Sequence, residues 1–303
     1  MTKFLSIDIG GTSIKFALIN SEGKIIEKNK VKTPTNRSDF LKQIDLIINK
    51  YNDQINGVAF CSPGKVKNNL IQFGGSLPFL NGLDFSKIYP NRAWPTAVIN
   101  DGKSAVLAEN WLGSLKDEEN CAAIILGTAV GSGIIINGHL LDGVHAQAGE
   151  LSFMISDSSM AKNMAGNVGS LASAVKMVKT INNIDNYFDL TDGMHAFELI
   201  KKDRKAEKIF HQYCLQIAIV ILNLQSVVDV NKIAIGGGIS SQEVLILGIK
   251  DAYRELVDSL NPLIGQTLTT PKIVEAKFKN DANLYGALYN LLLQINHENV
   301  YTA

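Results

Sequence analysis

Residues 4–24 read FLSIDIGGTSIKFALINSEGK, and this stretch decides the fold class. Two apolar runs of strand length lie on either side of Gly10-Gly11-Thr12, and the polar segment 20–24 turns the chain again. Such runs around a glycine turn indicate a β-hairpin. Asp8 places a carboxylate beside a turn whose two glycines have no side chains. This combination is typical of a ligand-binding site.

Strands and helices alternate after the hairpin. Residues 38–50, SDFLKQIDLIINK, have apolar side chains at helical spacing behind a Ser/Asp start, and INGVAFCSPG follows as a strand that stops at Pro63-Gly64. Residues 96–113, TAVINDGKSAVLAENWLG, again predict a strand, a polar turn and a helix. This alternation predicts an α/β fold in which helices cover a sheet.

The opening pattern recurs at residues 121–143, CAAIILGTAVGSGIIINGHLLDG. With one inserted residue, Thr128 aligns with Thr12 and Asn137 aligns with Asn20. A repeat more than a hundred residues away predicts two domains that begin with the same strand–turn–strand unit, and both turns would line the cleft between them. A third glycine turn, Gly236-Gly237-Gly238, follows an apolar strand, and a helix is expected to begin at Ser240 or Ser241.

Composition narrows the class of protein. The chain has 303 residues, so two domains are expected, and Lys+Arg and Asp+Glu both number 29 without a basic run. This balance gives no indication of nucleic-acid binding. Three cysteines far apart favour a reducing cytoplasm. The N-terminus does not resemble a signal peptide, and the apolar segment that begins at Cys214 is interrupted by polar residues, which favours a buried helix over a membrane span.

The glycine turns suggest phosphate binding. Backbone N–H groups beside a threonine hydroxyl offer several donors to phosphate oxygens, with no Cβ in the way. Asp8 fits such a site only if a cation accompanies the phosphate, and Mg²⁺ held by one carboxylate plus phosphates is the usual arrangement. The alternative is that the turns are structural and that Asp8 is a solvated strand-end acid.

Asp101 is the candidate general base. It follows an apolar strand and begins a helix of small residues, so its carboxylate is expected at the mouth of a cleft. Phosphoryl transfer needs a residue that accepts the proton of the attacking hydroxyl. The alternative is that Asp101 only caps the helix.

Five segments, in order over nearly the whole chain, resemble the ROK family of the actin-like ATPase superfamily: IDIGGTSIKFALIN, INDGKSAVLAEN, LGTAVGSGIIINGHLLDG, QAGELSF and IAIGGGIS. The resemblance implies two α/β domains with ATP and sugar in the cleft, and transfer of the γ-phosphate to a sugar hydroxyl, often the 6-hydroxyl. The expected domains are residues 1–118 with a closing helix in 281–303, and residues 119–280.

The resemblance also implies roles for individual residues. The first phosphate motif is Asp8, Gly10, Gly11 and Thr12, with Asp8 on the Mg²⁺ side; the second is Gly127, Thr128, Gly131 and Gly133; the adenosine motif is Gly236, Gly237 and Gly238. Asp101 matches the catalytic base, and Asn100 and Glu150 match ligands of sugar hydroxyls. The loop from Gly74, with Gly75 as a candidate sugar contact, would close one side of the sugar pocket.

Two departures bear on the substrate. Phe153 occupies the position of a sugar-binding histidine, and Ser170 and Ala172 stand where a zinc cysteine and a sugar-binding glutamate would fall, so no structural zinc is expected. His139 and His145, with no cysteine nearby, are interpreted as polar loop residues. A site without these groups would lose hydrogen bonds to a free reducing sugar. We therefore favour a β-glucoside or disaccharide, while N-acetylmannosamine and ordinary hexoses stay open, as does Phe153 as core filling.

A different class of protein is also considered. The repressor branch of the family carries an N-terminal helix-turn-helix module, and the residues before the predicted first strand are too few to form one. The presence of Asp101 also favours catalysis. A sugar-binding protein without turnover stays open. The expected partners are a small sugar and ATP with Mg²⁺, with no nucleic acid and no membrane, and a homodimer is common in the family.

Overall fold

The computed structural model describes residues 2–260, 262–298 and 300–301. The chain forms two compact units. The first contains Met1–Glu119, Gly133–Gly149 and Asn280–Ala303, and the second contains Asn120–Ser132 and Glu150–Lys279. Residues 133–149 thus group with the first unit, whereas the predicted second domain included them.

The first unit is built on a five-stranded sheet of order β3-β2-β1-β4-β8. Its strands are β1 (Lys3–Ile9), β2 (Ser13–Asn20), β3 (Ile25–Lys32), β4 (Val58–Ser62) and β8 (Thr96–Asn100). The predicted hairpin is confirmed, because β1 pairs antiparallel with β2 from Lys3 opposite Asn20 to Ile9 opposite Ile14. Strands β1, β4 and β8 pair in parallel, so their carboxyl ends meet at one edge of the sheet.

The described residues of this unit form the helices α1 (Arg37–Tyr51), α2 (Phe85–Ile88), α3 (Asp101–Leu112) and α10 (Ala282–Ile295). The helix predicted over 38–50 is α1, and Asn36 caps it by accepting a hydrogen bond from the Asp39 N–H. Helices α3 and α10 approach so closely at Gly286 that a Cβ there would overlap the carbonyl oxygen of Ser104. Glycine therefore permits this contact between the helix of the candidate base and the closing helix.

The core of the first unit lies between the sheet and α1. Leu5, Ile7, Phe40, Ile44 and Phe60 are fully buried there. Burial of a side chain of this size contributes about 1.5–3 kcal/mol. A small sheet of order β5-β6-β7 adds to the unit, with β5 (Lys65–Lys67), β6 (Leu70–Phe73) and β7 (Leu83–Asp84).

A second five-stranded sheet has the order β11-β10-β9-β12-β13. Its strands are β9 (Cys121–Leu126), β10 (Val130–Ile136), β11 (His139–Leu140), β12 (Lys232–Gly237) and β13 (Lys272–Glu275). The predicted second strand–turn–strand unit is therefore present as β9 and β10. Strand β12 pairs in parallel with both β9 and β13, which repeats the pattern of the first sheet.

The helices of the second unit are α4 (Val168–Leu171), α5 (Ala174–Asn182), α6 (Gly193–Ile200), α7 (Arg204–Val228), α8 (Glu243–Asp258) and α9 (Pro262–Thr267). The helix expected at Ser240 or Ser241 begins instead at Glu243, because residues 238–241 continue the glycine turn. The apolar segment around Cys214 belongs to the longer α7. This helix is long and apolar enough to cross a membrane by length and composition, but one side of it is buried, as in a core helix.

Candidate functional site

In the first unit, the candidate residues lie at the edge formed by the carboxyl ends of β1, β4 and β8. Asp8 is the penultimate residue of β1, and Asn100 ends β8. The Asn100 side-chain amide donates to the Gly64 carbonyl oxygen, just beyond β4, at 2.7 Å. Ligands of open α/β sheets bind at this kind of edge. The structure thus brings Asp8, Asn100 and Asp101 to one edge, although they are far apart in the sequence.

Asp8 is a buried carboxylate that contacts Asn283 and Lys15. Its Oδ1 accepts a hydrogen bond from Asn283 Nδ2 at 3.0 Å, and its Oδ2 lies 3.5 Å from Lys15 Nζ. Lys15 stands opposite Asp8 in the hairpin register and also donates to the Asn280 carbonyl oxygen at 3.0 Å. Sequence reasoning missed Lys15 and Asn283. The first could have been found from the antiparallel register, but the second comes from α10, more than 270 positions away.

Burial dominates the electrostatics of Asp8. Desolvation raises the pKa of its carboxyl group, and the charge of Lys15 and the hydrogen bond from Asn283 oppose that shift. Cys61 stands opposite Asp8 on β4 and is fully buried. Burial, followed by the charges of Asp8 and Asp101, raises the pKa of the Cys61 thiol well above its usual value, so this cysteine stays protonated.

Asn100 and Asp101 have distinct positions at the start of α3. Asn100 is the N-cap, and its Oδ1 accepts hydrogen bonds from the N–H groups of Gly102 and Lys103 at 2.9 and 3.3 Å. Asp101 is the first helical residue and is exposed, and its Oδ1 accepts from the Gly102 N–H at 2.8 Å. The capping role considered for Asp101 therefore belongs mainly to Asn100. This division leaves an exposed carboxylate at a helix N-terminus, where its charge is stabilised.

The loop around Gly75 packs against the turn after β4. Gly75 has a φ of +60°, and a Cβ there would lie 3.3 Å from the Gly64 backbone nitrogen. The Gly74 N–H donates to Asn81 Oδ1 at 2.7 Å, which fixes the loop at its other end. Gly75 therefore lies beside Gly64, whose carbonyl oxygen accepts the hydrogen bond from the Asn100 side chain.

The first glycine turn is a tight, exposed connection. The Gly10 N–H donates to the Ser13 carbonyl oxygen at 3.1 Å, and the Thr33 hydroxyl donates to the Gly10 carbonyl oxygen at 2.6 Å. Gly11 and Thr12 are exposed at the tip. These two hydrogen bonds fix the base of the turn, and its tip faces outward, as a phosphate-binding turn requires.

In the second unit, two glycine turns lie at one edge of the sheet. Gly237 pairs with Leu126, so Gly127 and Gly238 follow adjacent parallel strands. Gly237 has a φ of +106°, and a Cβ there would overlap the Leu126 carbonyl oxygen. Only glycine suits this position, because the backbone conformation and the close approach both exclude a side chain.

These two turns open onto a pocket of about 250 Å³ within the second unit. Gly127 and Gly238 line it, as two of the residues predicted for nucleotide binding. The other lining residues are mostly apolar and were missed by sequence reasoning: Leu126, Ala174, Val175, Val178, Thr191, Gly193 and Ile239. Leu126 and Ile239 flank the glycines of the two turns. The others belong to α5 or lie before and at the start of α6, so no local motif marks them. A mostly apolar pocket with glycine backbone at its rim suits a flat heteroaromatic base.

Asn182 shapes one wall of this pocket. It is fully buried at the end of α5, and its Nδ2 donates to the Asp192 carbonyl oxygen at 2.8 Å and to the carbonyls of Asp189 and Leu190 at 3.3 Å. Its Oδ1 lies 3.0 Å from His195 Nδ1. Three carbonyl oxygens of the segment 189–193, which includes two lining residues, therefore accept from this one side chain.

Glu150 and Phe153 belong to one short turn of the second unit. Glu150 is exposed, and the Phe153 N–H donates to its carbonyl oxygen at 3.1 Å. The Ser152 hydroxyl binds both the N–H and the carbonyl of Val130, at 3.0 and 2.8 Å, and so fastens the turn to the start of β10. Phe153 is 60% exposed. The alternative that Phe153 fills the core is therefore wrong.

The remaining candidates of the second glycine motif have different surroundings. Thr128 is exposed in the turn after β9, whereas Gly131 and Gly133 lie within β10. A Cβ at Gly133 would lie 2.7 Å from the Gly102 carbonyl oxygen, so this glycine permits close packing against α3. Among the described residues, no group of three or more His, Cys, Asp or Glu side chains could hold a metal ion.

The fold and these two strand edges define an α/β protein of the actin-like ATPase fold, as predicted. The ROK family profile matches residues 4–294, and the chain belongs to the ROK family. A ROK family protein from Streptococcus pneumoniae, solved in complex with sucrose, has a TM-score of 0.87 and 30% identity and covers 98% of this chain and 100% of its own.

Relatives of this chain include proteins named as sugar kinases. A β-glucoside kinase of Listeria monocytogenes is 27% identical over 98% of this chain and 100% of its own length. An N-acetylmannosamine kinase of Haemophilus influenzae is 28% identical over 94% of both chains. The predicted family is thereby confirmed, together with its resemblance to these two kinds of member.

Proposed function

We propose that this protein is an ATP-dependent kinase that transfers the γ-phosphate to a hydroxyl, the 6-hydroxyl, of a β-glucoside or disaccharide. The observation that carries the choice of substrate is the exposed ring of Phe153 in the turn that begins at Glu150. An exposed aromatic face offers contact area to a second sugar ring or an aglycone, and it cannot replace the hydrogen bonds of a histidine.

The enzyme class follows from the family and its named members. Membership of the ROK family and the named kinases among the relatives support a sugar kinase, so the predicted enzyme class is confirmed. For the substrate, the β-glucoside kinase of Listeria monocytogenes and the sucrose complex of the Streptococcus pneumoniae protein support an acceptor larger than one hexose.

The chemistry needs one proton acceptor and several phosphate donors. In our proposal Asp101 accepts the proton of the sugar hydroxyl as its oxygen forms a bond to the γ-phosphorus, and the bond from that phosphorus to the β-phosphate oxygen breaks and releases ADP. Asn100 orients the acceptor, because its side chain is already fixed by Gly64 and by the α3 backbone. In the glycine turns after β1 and β9, the N–H groups of the exposed residues Gly11, Thr12 and Thr128 bind phosphate oxygens. The N–H groups of Gly10 and Gly127 instead donate within the turns.

The residues around Asp8 fit a magnesium ion that arrives with the nucleotide. One buried carboxylate beside a glycine turn matches the way in which Mg²⁺ is held by a single acidic side chain plus phosphates. When bound, the ion neutralises charge on the phosphates. Asn283 and Lys15 would hold the Asp8 carboxylate in place for it.

The pocket of the second unit is proposed to bind the adenine base. Its glycine rim continues the strands β9 and β12, and its walls are mostly apolar. The family and its kinase relatives support the use of ATP. We further propose a cytoplasmic enzyme whose partners are small molecules, and a homodimer as its assembly.

A second candidate is an N-acetylmannosamine kinase. It is favoured by the Haemophilus influenzae relative, which matches 94% of this chain at 28% identity. A monosaccharide acceptor would leave Phe153 without a role in binding. A sugar sensor without turnover is the remaining alternative, and it predicts sugar binding without release of ADP.

The test is a coupled assay of ADP release with Mg²⁺ and ATP. The acceptors are cellobiose, gentiobiose, glucose, N-acetylmannosamine, N-acetylglucosamine and fructose, with a control that lacks sugar. A kcat/KM for a disaccharide at least about tenfold above that for any free hexose is expected. Preference for one monosaccharide would overturn the substrate and keep the enzyme class, whereas sugar binding without ADP release would support the sensor.

A further inference from the structure

Lys103 is a lysine buried inside the first unit. Its side chain is 4% exposed, and its Nζ forms an ion pair with Asp142 Oδ1 and donates to the Ala146 carbonyl oxygen at 3.1 Å. It lies two residues after Asp101 on α3. Lysine is seldom fully buried unless it is paired, so this interaction fixes both partners.

Both acceptors belong to the loop 141–149. The loop bends sharply, because Gly143 has a φ of +74° and Ala146 has a φ of +56°. A residue other than glycine persists in this conformation only where its surroundings hold it there. Besides Lys103, Lys67 Nζ donates to the Val144 carbonyl oxygen at 2.6 Å, and the Ala148 N–H donates to the Asp142 carbonyl oxygen at 3.1 Å.

The loop leads directly into Glu150 along the chain. We propose that Lys103 is a positioning residue that sets the conformation of the loop 141–149 and, through it, the placement of Glu150 for the sugar. This inference rests on the proposed function, since Glu150 is a sugar ligand only if the protein binds sugar. Lys103 ties the loop to the same helix that carries the candidate base.

Stability alone does not account for a charge at this position. Replacement of a buried ion pair by well-packed apolar side chains of similar volume often leaves stability unchanged or raises it, because both charges lose their hydration on burial. The pair does specify geometry, since Nζ satisfies two acceptors four residues apart in the loop. Removal of the pair should therefore change the loop even where the fold survives.

The experiment compares Lys103→Met, the double variant Lys103→Met/Asp142→Leu and the control Lys50→Met. The control removes a lysine from an exposed ion pair with Glu27 in the same unit. The measurements are KM for the best sugar and for ATP, kcat, thermal unfolding, and hydrogen exchange of the backbone amides in the loop.

We expect Lys103→Met to raise KM for the sugar roughly 10-fold to 100-fold, with KM for ATP changed less than about threefold. The double variant removes the unpaired carboxylate, so its unfolding temperature should recover while KM for the sugar stays high. Loop amides should exchange on the order of tenfold faster in both variants and not in the control.

Two results would overturn the inference. One is an unchanged KM for the sugar in folded Lys103→Met, and the other is a KM that recovers together with the unfolding temperature in the double variant. If the wild-type chain phosphorylates no sugar, the proposed function fails, and the link to Glu150 fails with it. Hydrogen exchange then decides separately whether Lys103 fixes the loop, because that readout needs no activity.

Discussion

Replacement of Asn182 by alanine tests the proposed nucleotide pocket without changing the other proposed binding residues. Asn182 does not line the pocket, but its amide holds the segment 189–193, which contributes Thr191 and Gly193 to the wall. The variant should therefore weaken ATP binding through the shape of the wall. No group that touches the nucleotide in our proposal is removed.

The size of the effect follows from the contacts of this side chain. Its Nδ2 has two hydrogens for three carbonyls, so the bond to Asp192 at 2.8 Å is the strongest, and the other two at 3.3 Å share the second hydrogen. Two such bonds contribute about 1 kcal/mol each. We expect a loss of about 2 kcal/mol in the free energy of unfolding, or roughly 3 °C in the unfolding temperature of a chain of this length.

The assays are thermal unfolding without ligand, binding of a fluorescent ATP analogue, and steady-state kinetics. KM for ATP should rise roughly tenfold, which corresponds to about 1.4 kcal/mol, and KM for the sugar should change less than about twofold. Asn183→Ala is the matched control, because Asn183 is the next residue and its side chain is exposed. It should behave as the wild type.

Equal changes in the two KM values would contradict this reasoning, since they would show a general loss of structure. An unchanged KM for ATP with a lowered unfolding temperature would show that the wall formed by 189–193 does not contact the nucleotide. That second result would remove the pocket from the proposed function.

Three further variants test single side chains. Asp101→Asn should lower kcat by roughly 10²–10⁴ while sugar and ATP still bind, and unchanged turnover would remove Asp101 from the role of base. Phe153→Ala should raise KM for cellobiose roughly tenfold with little change for glucose, because the lost apolar contact is worth about 1.5 kcal/mol; Phe188→Ala, also exposed, is its control. Asp8→Asn should abolish turnover and yet raise the unfolding temperature at pH 7 without Mg²⁺ or nucleotide. Burial raises the folded pKa of Asp8, so its contribution to stability is full below its unfolded pKa, near 3.8, and is lost as pH rises through the folded value. The difference between Asp8→Asn and the wild type should vanish near pH 3, and a variant less stable than the wild type at pH 7 would contradict the sign.

Local patterns were enough to predict the scaffold. The hairpin β1–β2, the helix over 38–50 and the repeat at residue 121 follow from apolar periodicity and glycine turns. Side chains on one face recur every 2.0 residues in a strand and every 3.6 residues in a helix, so the spacing of apolar residues distinguishes the two. The start of α8 was predicted two or three residues early. Serine is a good N-cap, but here the chain continues the turn of residues 238–241 before the helix begins.

The site was predicted mainly in its glycine turns and in the polar residues at strand ends. Asp8 was found beside a glycine turn, Asp101 because it follows a strand, and Asn100 from the family resemblance. They meet in the structure because strand ends lie at one edge of a parallel sheet. Phe153 was left open between core and surface, because a single aromatic residue in a loop has no periodic partner to show which way it faces. Its exposure is set by the turn that Ser152 fastens to β10.

The sequence by itself determined the α/β class and the glycine turns, because these depend on neighbours within a few positions. It also determined the family, through the order of five short segments along the chain. Only the tertiary structure decided that Asn283 reaches Asp8, that Asn182 holds the wall of the pocket and that Lys103 pairs with Asp142. Each of these contacts joins residues from separate elements. Their partners are chosen by how helices and loops pack on the sheet, and this packing leaves no periodic signal along the chain.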